Sequence, residues 1–197
     1  MRTYTNSRAK LLHAAEQVVV EVGAAHLTLD AVASKAGVSK GGLIHNFPTK
    51  DALLEAMVVR LLAAWKGRYE QAARAFPDSP AGKLKAQLMA RLDVDERSRQ
   101  VSSAVFAVAA NQPRLLEPVR AHIRQLHEGI VESGLNFDLA VVLLLAADGL
   151  YMQELLGLYR LSTRRRKSIV EQLLRLADGA ALMNWNRQPG NPKGQEP

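Results

Sequence analysis

Residues Thr28 to Leu54, TLDAVASKAGVSKGGLIHNFPTKDALL, constrain the fold more than any other stretch of the chain. Leu29, Val32, Ala33 and Ala36 are spaced i, i+3, i+4, i+7, which predicts a helix over 29–36 with one apolar face. Thr28 stands where an N-cap is needed. Gly37 interrupts the pattern and supplies the positive φ that a sharp helix-to-helix turn requires. Ser39 can cap a second short helix, 40–47, which ends before Pro48. Leu43 and Phe47 lie one turn apart on it and can dock on the preceding helices. Ala33 is small where the two helices must cross closely. Two short helices joined by a tight turn containing glycine form a helix-turn-helix, a pattern that reads DNA.

A preceding amphipathic helix is expected over 8–22, with Leu11, Leu12, Ala15, Val18, Val19 and Val22 on one face and Gly23 as its stop. The plain reading of this helix is core. Residues 1–7 are polar and expected to be loose, and Arg2, Arg8 and Lys10 make this arm basic, either as a solvated terminus or to meet phosphate. Pro48 and Thr49 separate the second short helix from a longer one over 50–75. There Leu53, Leu54, Met57, Val58, Leu61, Leu62 and Trp65 make a broad apolar stripe. FPDSP at 76–80 breaks the chain. Further helices are expected over 81–92, 102–110, 113–132, 136–161 and 163–186. The helix over 136–161 is apolar nearly all round and should be buried on nearly all sides.

The whole is expected to be all-α. A three-helix N-terminal domain (1–50) would precede a larger helical body (51–187) and a disordered tail (188–197), with about nine helices. At 197 residues the chain can bury a real core, and 48% hydrophobic with 23% charged residues fits a globular protein. It has no cysteine, which excludes disulfides and thiolate metal sites and suits a cytoplasmic setting. The N-terminus lacks the apolar core of a signal peptide, and the run Leu139 to Ala147 is too short to span a bilayer. A formal net charge of +7 favours an anionic partner, nucleic acid or a membrane surface.

The stretch around the helix-turn-helix resembles the DNA-binding domain of TetR-type (TetR/AcrR) transcriptional regulators. The resemblance rests on Thr28, Ala31-Val32-Ala33, Ala36 to Gly41, Leu43, His45, Phe47-Pro48, Lys50 and Leu53-Leu54, about a quarter of the chain. It implies that Lys40, Gly41 and Gly42 face the major groove, and Ser39 is a further DNA-binding candidate. Thr28, His45 and Lys50 would meet phosphates. Where the family usually carries tyrosines, this chain has Ile44 and Asn46. Ile44 could touch a thymine methyl, and Asn46 an adenine edge or a phosphate. Gly41 and Gly42 each carry a helix-propensity cost of up to ~1 kcal/mol relative to Ala. Either they bring the backbone close to DNA, or packing by Leu43 and Phe47 carries the cost.

The resemblance further implies a homodimer paired through the last two long helices, a small-molecule effector held in the helical body, and release of a palindromic double-stranded DNA operator. The candidate ligand-binding residues are Trp65, Tyr69, Met89, Phe106, Phe137, Tyr151 and Met152, although aromatics at helical spacing are more often simple core. Asp148 and Glu154 interrupt an apolar helix, so each should be exposed, paired across the dimer, or aimed at a polar ligand group. The run Arg164 to Lys167 reads as a solvated charged face. No paired carboxylates, phosphate loop or nucleophile motif appears, so an enzyme is not expected, nor a cofactor, metal or membrane span. The alternative is a basic helical protein with degenerate DNA binding that acts at a membrane surface or through a protein partner.

Overall fold

A computed structural model of the chain describes residues 2–23, 26–110 and 112–182. Among these residues the fold is all helical: α1 (Arg2–Val22), α2 (Leu29–Ala36), α3 (Lys40–Asn46), α4 (Lys50–Ala73), α5 (Pro80–Leu92), α6 (Glu96–Ala110), a 3₁₀ turn (Pro113–Leu116), α7 (Glu117–Glu132), α8 (Phe137–Leu155) and α9 (Thr163–Leu182). No described helix is long and apolar enough to cross a membrane. The expected tail and the last expected residues of α9 lie outside the described residues.

The caps act where the sequence places them. Thr28, Ser39 and Thr49 accept from the backbone N–H groups of Ala31, Gly42 and Ala52. Gly37 has φ 64°, and the N–H groups of Gly37 and Val38 return to the carbonyls of Ser34 and Ala33. This closes α2 and turns the chain into α3. α1 begins at Arg2 rather than after a loose arm. Residues 2–7 contain no Gly or Pro, so nothing local stops the helix from propagating toward the terminus. α8 ends at Leu155, short of the expected 161, because Gly157 adopts φ 65° and turns the chain away.

Two apolar cores result. The first joins Leu11, Ala15 and Val18 of α1, Val32 and Ala33 of α2, Leu43 of α3 with Phe47 just beyond it, and Leu53 to Leu61 of α4. It does not stop at the helix-turn-helix. Val101 and Val105 of α6 and Leu115 of the 3₁₀ turn belong to it, and Val119 of α7 packs against it. The second core joins α5, α8 and α9, with Ile130 at the end of α7. α4 is the wall the two regions share: α5, α6 and α7 pack on it, and its first half lies in the DNA-reading core.

Charged groups tie the body together. Glu154, expected to be exposed, paired across a dimer or aimed at a ligand, instead accepts within its own chain from Arg99 (3.0 Å) and Arg166 (2.6 Å). Arg166 also donates to the carbonyl of Leu92. This member of the 164–167 basic run therefore points inward and joins α5, α6, α8 and α9. The expectation that α8 is buried nearly all round does not hold for the single chain. Ala140, Leu143, Leu144 and Ala147 are buried, while Val142, Leu145 and Leu156 are more than half exposed on the opposite face.

Candidate nucleic-acid interface and internal cavity

α3 carries the groove-facing candidates, and its inward side fixes which residues those are. Leu43 and Phe47 are fully buried, and Asn46 shares their face at 8% exposure. The Asn46 side chain donates from Nδ2 to the Gly42 carbonyl (3.0 Å). The expected contact of Asn46 with a base or phosphate is therefore corrected. The residue stands three after Leu43, and that spacing turns it into the domain. The outward face carries Lys40, Gly41, Gly42, Ile44 and His45, all exposed.

Two of these expected contacts already have partners within the chain. Lys40 Nζ is 2.9 Å from Asp30 of α2. Arg8 stacks over the Phe47 ring at 4.4 Å and donates to the Asn46 carbonyl at 3.2 Å. Arg8 thus satisfies a carbonyl at the C-terminal end of α3, where positive charge also suits the helix dipole. Thr28 and Ser39 are exposed caps, and Lys50 opens α4 half-buried. A Cβ at Gly41 would meet open space. One at Gly42 would come within 3.3 Å of the Ser39 hydroxyl.

A cavity of about 490 Å³ lies in the helical body between α4, α5, α6, α7 and α8. That volume is within the usual range for small-molecule sites. Of the residues expected to hold a ligand, the cavity brings together Trp65, Tyr69, Phe106, Asp148, Tyr151 and Met152. Met89 and Phe137 do not line it. Phe137 opens α8 and packs edge-on against His127 (5.7 Å between ring centroids), at the far end of α8 from Tyr151. Met89 is displaced because its helical neighbours Ala90 and Arg91 take the cavity-facing positions of α5.

The polar wall residues that escaped the sequence reading are Lys66, Arg68, Gln87, Arg91 and His122. Arg91 was the most legible of them, a charged residue among Leu84, Leu88 and Leu92. It meets Asp148 with Nε at 2.9 Å from the carboxylate, a pairing within the chain rather than across a dimer. Trp65 stacks obliquely with Phe106 (6.4 Å) and His122 (6.2 Å). Burial, helped by the nearby Arg91 charge, lowers the His122 pKa from 6.5, which favours a neutral imidazole. Burial pushes the Tyr151 phenol up and the Arg68 guanidinium down. Among the described residues no cluster of His, Asp and Glu is arranged to hold a metal ion.

A helix-turn-helix on a helical body with an internal cavity defines the class: a one-component transcription regulator, with reader and sensor in one chain. The comparisons narrow the class. A family model described as "Bacterial regulatory proteins, tetR family" matches residues 11–57. A second, "Tetracyclin repressor-like, C-terminal domain", matches residues 81–178. The chain is 32% identical over 127 residues to the HTH-type transcriptional regulator BetI of Pseudomonas aeruginosa (strain LESB58), covering 62% of this chain and 64% of that protein. The BetI of Burkholderia mallei (strain NCTC 10229) is likewise 32% identical over 127 residues, covering 62% and 65%. The match thus spans a little under two thirds of the length of these relatives.

Among solved structures, a putative TetR-family regulator from Rhodococcus sp. shares the fold with a TM-score of 0.70 at 19% identity, covering 89% of this chain and 99% of that one. A TetR-family member from Streptomyces coelicolor A3 is 27% identical with a TM-score of 0.64, covering 86% and 97%. The chain belongs to the TetR family of transcriptional regulators.

Proposed function

We propose that this protein is a ligand-responsive repressor that binds a palindromic DNA operator as a homodimer in the cytoplasm and leaves it when a small molecule fills the cavity. The groove contacts are assigned to Ser39, Lys40, Gly41, Gly42 and Ile44, and the phosphate contacts to Arg8, Thr28, His45 and Lys50. Residues up to Lys50 form the reader, and those from Asp51 onward the sensing and pairing unit.

The observation that carries this reading is the sharing of walls between cavity and reader. Val119 lines the cavity and packs on the core that holds α3. Leu115, one turn before it, is buried in that core. Arg114 pairs with Asp51 in the first turn of α4, directly after α3. Trp65 on α4 likewise lines the cavity and packs on the same core. A ligand that displaces α7 or α4 shifts the seat of the recognition helix. A coupling of about 1–3 kcal/mol corresponds to roughly 5–150-fold weaker operator binding. Such a ligand must bind the two states unequally, since equal affinity shifts nothing.

Selection of bound duplexes from a random DNA pool tests the reading. A palindrome should be enriched, bound with steep salt dependence, and lost on Lys40→Ala. If only weak binding without sequence preference is recovered, the operator-reading assignment fails and action through a partner takes its place.

A further inference from the structure

On the footing that the cavity is the effector site, we infer that its ligand is a small amphipathic carboxylate, with its apolar body against Trp65 and Phe106 and its carboxylate on Arg68. The argument comes from which polar groups of the wall are already used. Arg91 is engaged on two of its three nitrogens: Nε meets Asp148 at 2.9 Å, and NH1 donates to the Gln87 carbonyl at 3.0 Å and to the Gln87 side-chain oxygen at 2.9 Å. Asp148 and Arg91 neutralise each other, and Gln87 keeps only its amide N–H groups for a ligand.

Arg68 is different. Its Nε donates to the Ala90 carbonyl at 3.1 Å, which fixes the plane of the guanidinium. Among the described residues no carboxylate lies within ion-pair distance of it. Asp93 and Asp95 act on it only from beyond contact distance, so its two outer nitrogens make no hydrogen bond among the described residues and suit a planar, bidentate anion. Tyr151 adds a donor. Its hydroxyl is buried and makes no hydrogen bond. The adjacent Ser102 hydroxyl gives its proton to the Ser98 carbonyl; its oxygen lies near enough to favour the phenolate but makes no hydrogen bond of normal geometry with the phenol.

Among the described residues, Arg91 of the wall is paired with Asp148 and Lys66 lies 3.9 Å from Glu70, which leaves Arg68 as the wall cation without a carboxylate in contact. What remains of the wall is apolar, with Leu62, Val94 and Val119 beside the aromatic rings. A cationic ligand would meet the Arg68 guanidinium and find the Asp148 carboxylate already paired. A neutral ligand would leave the outer nitrogens of Arg68 without an anionic acceptor. A carboxylate with an apolar body answers both the charge and the surplus of donors.

Calorimetric titration of the full-length protein with 4-phenylbutyrate, 4-phenylbutanamide and 4-phenylbutylamine holds the apolar body nearly constant while the head group changes charge. The carboxylate should bind at least ~10-fold more tightly than the other two. Arg68→Lys should retain the preference. Arg68→Gln should bring the carboxylate to the level of the amide, whose continued binding reports that the cavity is intact. Parity across the three compounds, or a preference for the amine, overturns the carboxylate assignment and leaves the effector cavity standing. Binding of none of them overturns both.

Discussion

Gly41 and Gly42 occupy the second and third positions of α3, within the turn that Ser39 caps. A glycine costs less there than in a helix interior, so the two together weaken α3 less than their number suggests. Their surroundings also differ. Alanine at Gly41 fits open space and should raise stability, by up to ~1 kcal/mol in a thermal melt. Alanine at Gly42 pushes on the Ser39 oxygen that accepts the Gly42 N–H, so its gain should be smaller or absent. Operator affinity measured on the same two variants separates the roles: a loss assigns the glycines to close approach on DNA, and unchanged affinity removes that idea. Asn46 teaches the complementary lesson. Its polarity suggests an outward role, yet its place three residues after Leu43 puts it inside. Position on the helix outweighs side-chain chemistry, because the Gly42 carbonyl gives its amide a partner within the domain.

At the level of elements, the link between sensor and reader is short: the 3₁₀ turn and the first turn of α7. Arg114→Ala removes the pair with Asp51. Both side chains are substantially exposed, so the cost to folding should stay under ~1 kcal/mol. The ratio of operator affinities without and with effector should nevertheless fall. If gel-shift titrations give the same ratio as the parent, that contact is not part of the coupling. The short helices were legible because their punctuation is local: Thr28, Ser39 and Thr49 cap, and Gly37 turns. The cavity was only half legible. Trp65, Tyr69, Phe106, Tyr151 and Met152 announce themselves as large apolar groups. Arg68, Gln87 and Arg91 enter the wall through the packing of α4, α5 and α8, pairings between distant segments that periodicity within one helix does not encode. Arg91 and Asp148 were complementary charges on two apolar helices, but only the packed fold puts them 2.9 Å apart.

For the whole molecule, the exposed stripe of α8 sets the expected assembly. Val142, Leu145, Met152 and Leu156 recur every three, four or seven residues, and α9 exposes Ile169 and Leu176 seven apart. That is the spacing with which helices pair. Leu145→Asp should therefore yield a monomer in sedimentation and lower affinity for a two-half-site operator by roughly 10²-fold or more, through loss of the second reader. A variant that stays dimeric places the interface elsewhere. The net charge of +7 draws such a dimer to any duplex, yet the ion pair between Lys40 and Asp30 works against indiscriminate attachment. Each reader carries a tethered counter-ion of its own. On random sequence, exchanging Asp30 for a phosphate still releases a counter-ion condensed on the DNA, but the broken ion pair offsets part of that gain. At the operator, the bases can supply the contacts that make the exchange favourable. The pair thus trims the indiscriminate part of the attraction at this one contact, while the pull of the remaining basic groups on phosphate stays.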